Sequence, residues 1–184
     1  MSFAIVAAAV LTAAAPQSAE VPASIACDAT APTDGDGAHG YLLPGPAYTV
    51  SGRLKLERKA DYDGRWMASG NVQLVSADGR HGAYLIVGGS TEFLGDIVQA
   101  TLVVLRDGKR HREYEIGAFK SEANLRFMLS VDPNGAVKAS VGWRTATAKT
   151  DFLGQRVAVA FGCHRGAVTF SGVATTPVAT ATAN

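Results

Sequence analysis

Residues 125–143 read LRFMLSVDPNGAVKASVGW, and this stretch decides the fold predicted for the chain. Apolar residues occupy every second position from Leu125 to Val131, which is the period of a half-buried β-strand. Asp132 to Gly135 then supplies turn residues, and the alternation resumes from Val137 to Trp143. The pattern predicts an antiparallel hairpin. It places Trp143 in the core, with ligand stacking as the alternative for this side chain.

Other strand-like segments lie on both sides of this hairpin, and turn residues separate them. Asp107-Gly108 joins two of the runs, and Asp-Gly between strand-like segments is a strong hairpin signal. No stretch has a convincing helical period. We therefore predict an all-β protein, an antiparallel sandwich or barrel of roughly eight to ten strands. The runs outside residues 125–143 are 48–57, 72–76, 84–87, 97–105, 111–116, 157–161 and 167–173.

Three segments resemble the concanavalin A-like jelly-roll sandwich, the lectin/glucanase and laminin-G-type superfamily. They are the hairpin of residues 125–143, the strand Val157–Phe161 and the ending Gly166–Val173, which is similar to the Gly-x-Val-x-Phe closing strand of such domains. The resemblance implies an antiparallel jelly-roll β-sandwich. Members of the superfamily include sugar-binding modules, glycoside hydrolases and interaction domains, so the resemblance leaves the function open.

The N-terminal segment predicts export. An uncharged apolar run extends from Phe3 to Ala15, and small and polar residues follow it. Such a run is too short to span a bilayer as a helix, but it matches the apolar region of a secretory signal. We predict a signal peptide over residues 1–23, with cleavage between 19 and 26, and a periplasmic or secreted protein. A retained anchor and a lipid on Cys27 are the alternatives.

The two cysteines, Cys27 and Cys163, predict a disulfide, because an even pair in an exported protein usually forms one. The alternative is a reactive thiol at Cys163. The rest of the chain divides by composition. Residues 24–47 are rich in Gly, Pro and Asp and are predicted to form a tethered lead-in loop; residues 48–174 form the β-sandwich domain, and residues 175–184 a disordered Ala/Thr tail.

The net charge and the absence of known motifs argue against several classes of function. The formal net charge is +1, and neither sign dominates, so nothing indicates nucleic acid or an anionic membrane surface as a partner. No transmembrane segment is predicted after the signal. The four histidines are scattered without metal-ligand spacing, and no Gly-x-Ser-x-Gly elbow occurs. We predict no metal, no cofactor and no catalytic residue.

The stretch Asp61-Tyr-Asp-Gly-Arg-Trp66 is the candidate ligand site. Aromatic rings stack on the apolar faces of sugars, while acids and arginine hydrogen-bond their hydroxyls. The two carboxylates also suggest Ca²⁺, although a full calcium loop has more ligands than two. A polar turn above an aromatic side chain is the structural alternative. The predicted glycan contacts are Asp61, Tyr62, Asp63, Arg65 and Trp66.

These observations predict an exported, non-catalytic module that binds carbohydrate or cell-envelope material. One alternative is a glycan-active hydrolase whose acids, Glu113, Glu115 and Asp63, converge from separate strands. The resemblance implies a Glu-x-Asp-x-x-Glu motif for such an enzyme, and the chain lacks it; Glu113-Tyr-Glu115 is the nearest approach and predicts a solvated strand face. The other alternative is a structural envelope protein that binds another protein.

Overall fold

The fold is all-β in the part of the chain that the computed structural model describes, and no helix occurs there. The described residues are 20–29, 36–59, 68–88, 97–120, 123–151 and 156–178. The strands are β1 (Ser24–Asp28), β2 (Asp36–Leu42), β3 (Tyr48–Lys59), β4 (Ser69–Ser76), β5 (Gly82–Gly88), β6 (Ile97–Arg106), β7 (Lys109–Lys120), β8 (Leu125–Val131), β9 (Ala136–Val141), β10 (Arg144–Lys149), β11 (Val157–His164) and β12 (Gly166–Pro177).

The strands form two antiparallel sheets of six strands each. Sheet A has the order β1-β12-β3-β8-β9-β10, and sheet B has the order β2-β11-β4-β5-β6-β7. The two sheets share one buried apolar core. This arrangement confirms the predicted antiparallel β-sandwich.

The core follows the alternation that the sequence predicts. Every second residue of β8 is buried, and Val137, Ala139 and Val141 continue the pattern on β9. Aromatic rings connect the sheets: the Phe127 and Phe170 centroids are 6.3 Å apart within sheet A, and Phe170 is 5.2 Å from Phe161 of sheet B. Both pairs meet edge to face, the arrangement that aromatic rings prefer.

The predicted disulfide is confirmed, and it joins the two sheets. Cys27 lies on β1 of sheet A and Cys163 on β11 of sheet B, with Cα atoms 5.8 Å apart and 136 residues of sequence separation. Both cysteines are buried and both sulfur atoms are used in this bond, so the alternative of a reactive thiol at Cys163 is wrong. Gly37 covers the bridge, because a Cβ atom there would lie 2.8 Å from the Cys27 Sγ.

The prediction of a lead-in loop over residues 24–47 is wrong in part, because β1 and β2 lie inside this range. β1 pairs with β12, and β2 pairs with β11. β2 has the sequence DGAHGYL, and its glycines lack the branched side chains that make a strand recognisable. Its strand conformation depends on the backbone hydrogen bonds to β11, which sequence alone does not reveal.

Two further elements extend the predicted sandwich. β10 is an additional edge strand with the sequence RTATAK, and β12 continues through Pro177 into the segment predicted as a tail. Of the predicted signal peptide, residues 1–19 lie outside the described residues. In its described end, Val21 packs against the core and the Ala23 carbonyl accepts a hydrogen bond of 3.0 Å from the Val173 N–H. In the described ranges, no helix is long and apolar enough to cross a membrane.

The core placement predicted for Trp143 is wrong, since 83% of this residue is exposed. β9 ends at Val141, which pairs directly with Arg144 of β10, so Gly142 and Trp143 form the loop of a two-residue hairpin. Gly142 has φ +59°, a left-handed conformation that glycine adopts without steric cost. The turn thus interrupts the alternation one residue before Trp143.

We expect loss of the disulfide to destabilise the protein strongly. Replacing both cysteines, Cys27→Ala with Cys163→Ala, should lower the free energy of unfolding by about 4–5 kcal/mol, because the bridge closes a long loop in the unfolded chain. Urea unfolding under oxidising conditions measures the difference. Reduced wild-type protein serves as the control and should match the double variant; a wild-type midpoint in the double variant would contradict the prediction.

Trp143 and Phe127 should differ sharply in their contribution to stability. Trp143→Ala should change the free energy of unfolding by less than about 0.5 kcal/mol, as is usual for surface positions. Phe127→Ala should cost about 3–5 kcal/mol, because it leaves a cavity in the core. Thermal and urea unfolding of the two variants side by side test this contrast, and equal losses would refute it.

Candidate functional site

The outer face of sheet B carries a cluster of polar side chains at its centre. Asn71 and Gln73 on β4 and Tyr84 on β5 are half-buried. They point away from the core because the residues next to them along the two strands, including Val72 and Leu85, are buried in it. Gln73 lies directly opposite Tyr84 in the β4–β5 register. We call Asn71, Gln73 and Tyr84 the amide–tyrosine cluster.

The two amides are held in place by each other and by a glycine. Gln73 Nε2 donates a hydrogen bond of 2.7 Å to Asn71 Oδ1. Asn71 lies opposite Gly162 of β11, and a Cβ atom at Gly162 would approach Asn71 Nδ2 to 2.8 Å. Asn71 Nδ2 and Gln73 Oε1 make no hydrogen bond within the described residues. The NH2 group of Asn71 and the Oε1 oxygen of Gln73 can therefore donate to and accept from a ligand.

The Tyr84 hydroxyl is protonated at neutral pH and can donate a hydrogen bond. Burial raises the pKa of its phenol, and the nearby positive charge of Arg110 opposes this rise. Arg110 is itself engaged, because its Nη1 lies 3.2 Å from Glu113 Oε1. Tyr84 thus presents an apolar ring and a protonated hydroxyl next to the amide pair.

Two rows of side chains cross the outer face of sheet B through this cluster. Neighbouring strands lie about 4.8 Å apart, so a row from β11 to β7 is about 19 Å long. The β11 end has small residues, and the β7 end has exposed carboxylates. The register gives the rows Ala160–Gln73–Tyr84–Val103–Glu113 and Gly162–Asn71–Ile86–Thr101–Glu115.

Two acids of the hydrolase alternative, Glu113 and Glu115, lie on the edge strand β7 of sheet B. Glu113 and Glu115 are exposed and share the outer face of β7, as their spacing predicts. The salt bridge between Arg110 and Glu113 fits the predicted solvated, charge-paired face. The third acid of that alternative, Asp63, lies outside the described residues. In the described part of the chain, no group of three or more His, Cys, Asp or Glu side chains is placed to hold a metal ion.

The predicted glycan contacts lie outside the described residues. This holds for all five of them: Asp61, Tyr62, Asp63, Arg65 and Trp66. The connection that contains them leaves β3 after Lys59 and enters β4 at Ser69. Asn71 is two residues beyond that entry, so the predicted loop and the cluster are neighbours along the chain.

The sequence analysis missed the amide–tyrosine cluster, although a signal was present. The predicted strands around 72–76 and 84–87 are joined by a short turn, Ala77 to Arg80. A hairpin with this turn aligns Gln73 with Tyr84, and the alternation puts both on the face away from Val72. Those two steps would have placed an amide beside a tyrosine.

Comparisons with known proteins identify the fold. No family model and no curated protein matches the chain. The chain is similar to the structure of a polysaccharide lyase of family 18, with 10% identity over 90% of this chain and 92% of the other and a TM-score of 0.62. It is similar to the alginate lyase from Alteromonas sp. 272, with 13% identity, coverage of 90% and 92%, and a TM-score of 0.61.

A third similar structure is a protein of unknown function from Saccharomyces cerevisiae, with 16% identity, coverage of 90% and 94%, and a TM-score of 0.61. At such identities the likeness establishes the fold alone. The chain thus shares the β-sandwich fold of these structures, and the resemblance predicted from the hairpin and the closing strand holds at the level of the fold.

We expect Tyr84 to make stability depend on pH in the alkaline range. Its folded-state pKa is raised above the usual value of about 10, so above that pH the unfolded chain loses a proton that the folded protein retains. Stability should therefore fall as pH rises through the interval between the two pKa values. Phenolate absorbance, compared between wild type and Tyr84→Phe, measures the titration.

Arg110→Gln serves as the matched control, since removing the positive charge should raise the pKa of Tyr84 further. A Tyr84 titration at the value of free tyrosine would contradict the burial of this phenol.

Proposed function

We propose that the protein binds carbohydrate without catalysis, through the outer face of sheet B. The observation that carries this proposal is the amide–tyrosine cluster: two mutually hydrogen-bonded amides beside a half-buried tyrosine. Sugar hydroxyls both donate and accept hydrogen bonds, and sugar rings have apolar C–H faces. A few fixed polar groups beside an aromatic ring are typical of small-molecule sites.

The cluster is organised before any ligand arrives. The 2.7 Å bond between the amides fixes both side chains, so less rotamer freedom is lost on binding. Gly162 leaves the space that Asn71 occupies. The residues on this side of sheet B are small, so no large side chain stands above the strands there. They include Gly40 of β2 and Ala158 and Ala160 of β11. An extended glycan can therefore lie across the strands.

The chemistry of the cluster favours binding over hydrolysis. Efficient general acid–base catalysis uses a group whose pKa lies near the working pH. Amides do not titrate, and burial raises the pKa of Tyr84 away from neutrality. The hydrolase alternative depends on Glu113 and Glu115, which are exposed on the edge strand β7, together with Asp63. The alternative of a protein-binding envelope protein is less favoured, since protein interfaces centre on apolar and aromatic side chains.

The loop residues Asp61, Tyr62, Asp63, Arg65 and Trp66 remain proposed contacts of the same site. The entry of their connection into β4 close to Asn71 supports this assignment. Export remains part of the proposal too, with a signal peptide over residues 1–23 and a periplasmic or secreted location. The Cys27–Cys163 disulfide supports it, because such bridges persist in oxidising compartments.

Affinity electrophoresis in gels that contain alginate, laminarin or xylan tests the proposed function. We expect Asn71→Ala and Gln73→Ala each to weaken binding by about two- to tenfold, the usual worth of a hydrogen bond. The control is Ser140→Ala, which lies on the outer face of sheet A. Wild-type affinity in both amide variants would remove the cluster from the binding site.

Further measurements distinguish the binding function from the enzymatic and protein-binding alternatives. The double variant Tyr62→Ala with Trp66→Ala tests the loop, and a chelator tests whether calcium contributes. Release of reducing ends from any of the three polysaccharides, abolished by Glu113→Gln, would replace the binding function with an enzymatic one. Binding of none of the polysaccharides would favour a protein partner.

A further inference from the structure

Trp143 is a large apolar side chain displayed on the surface. It is 83% exposed and is the only large hydrophobic residue in the described ranges with such exposure. It occupies the second position of the tight turn between β9 and β10. Two residues near it, Arg126 and Thr145, are polar and exposed. An exposed indole in polar surroundings does not contribute to the core, so its role lies elsewhere.

The indole is supported from one side by a stack of charged and aromatic groups. The Cζ atom of Arg144 lies 5.0 Å from the centroid of the Trp143 ring and 5.8 Å from that of Phe119. Both distances are in the range of cation–π attraction. Phe119 belongs to β7 of sheet B, whereas Arg144 begins β10 of sheet A. Arg144 therefore ties the exposed indole to the opposite sheet.

A glycine on β7 makes room for this stack. A Cβ atom at Gly117 would lie 2.6 Å from Cδ of Arg144, so any other residue there would displace the guanidinium. Gly117 also has φ +148°, and Gly142 in the turn has φ +59°, both in the region that favours glycine. Two glycines thus allow Arg144 to pack beneath the indole and the turn to present it.

We propose that Trp143 is a second sugar-stacking contact, and that the ligand of the proposed carbohydrate site is therefore a polysaccharide chain. This inference rests on the proposed function. Arg144 covers one face of the indole, which leaves the other face for a flat apolar surface about as large as a sugar ring. A stable protein interface buries about 800 Å² on each partner, whereas Trp143 is the only exposed large hydrophobic residue in the described ranges.

The position of Trp143 sets the length of the ligand. From Asn71 on β4 to the outer strand β7, three strand spacings amount to about 14 Å. The Gly142–Trp143 turn packs next to Phe119 of β7. Phe119 pairs with the buried Val98 and packs against the core, so the turn lies at the edge of the sandwich beside β7 and not on the outer face of sheet B. A mono- or disaccharide bound at the amide–tyrosine cluster does not reach the indole. A longer chain does so if it crosses β5, β6 and β7 and continues around the edge of sheet B.

The test compares long and short ligands. Alginate, laminarin and xylan serve as polymer probes, and disaccharides cut from whichever polymer binds serve as short probes. Trp143→Ala should weaken polymer binding by about tenfold, because one stacking contact is lost, and should leave disaccharide affinity unchanged. Arg144→Ala should weaken polymer binding as well, because it frees the indole. Trp143→Phe should restore part of the affinity, and the exposed Lys138→Ala is the control.

Fluorescence gives a direct readout of the contact. The chain has two tryptophans, so subtracting the emission of the Trp143→Phe variant from that of the wild type isolates the signal of Trp143. Its emission should shift to the blue on addition of polymer, and the disaccharide should leave it unchanged.

The outcomes separate the two proposals. Unchanged polymer affinity in Trp143→Ala, together with loss of binding in the Asn71 and Gln73 variants, would overturn the stacking contact and leave the proposed function standing. Failure of the wild type to bind any polymer would overturn the proposed function and the stacking contact with it. Self-association of the wild type that Trp143→Ala abolishes would assign the indole to an interface between copies and overturn this inference.

Discussion

The packing of sheet A against sheet B through alternate side chains is the constraint on which the rest of the structure depends. Phe161 of β11 meets Phe170 of β12 at 5.2 Å, and Phe170 meets Phe127 of β8. A shift of one residue in any of these strands would exchange its buried and exposed faces. The core thereby fixes the outer surface: Asn71 and Gln73 face outward because Val72 and Leu74 must face inward.

The two proposed contact regions share a structural device. At each, a polar side chain lies across a glycine of another strand: Asn71 across Gly162 of the adjacent strand β11, and Arg144 across Gly117 of the facing sheet. The glycine removes the Cβ atom that would hold the side chain away from the sheet. In both cases a second group then completes the arrangement, Gln73 by a hydrogen bond and Trp143 by ring stacking. The close approach of each side chain to the glycine backbone thus orders a side chain that is otherwise flexible.

The sequence predicted those parts of the fold that depend on side-chain alternation. The hairpin of β8 and β9 and the long strand β3 follow from the period of two, and the disulfide follows from the cysteine count. β1 and β2 were not predicted, because their conformation depends on partners far away in the chain. Trp143 was misplaced because the alternation continues in the sequence through Gly142, whereas the backbone turns there.

The candidate site was predictable only in part. The hydrogen bond between Asn71 and Gln73 joins residues of one strand, and their outward direction follows from the pattern of β4. The role of Gly162 does not follow, since β11 and β4 are separated by most of the domain and only the folded register brings them together. The same holds for Arg144 and Gly117, which belong to different sheets.

The pairing of β1 with β12 and of β2 with β11 has a consequence for the order of folding. As the chain is synthesised, the first two strands have no neighbours until the last two have been made. The central strands β3 to β10 can pair earlier, but β3 and β4 must also wait for β12 and β11. Contacts of such long sequence separation form slowly, and until they form, strand edges are open to other chains. The protein therefore reaches its protected state only after its two ends have met, and the covalent bond between Cys27 and Cys163 closes at that last step.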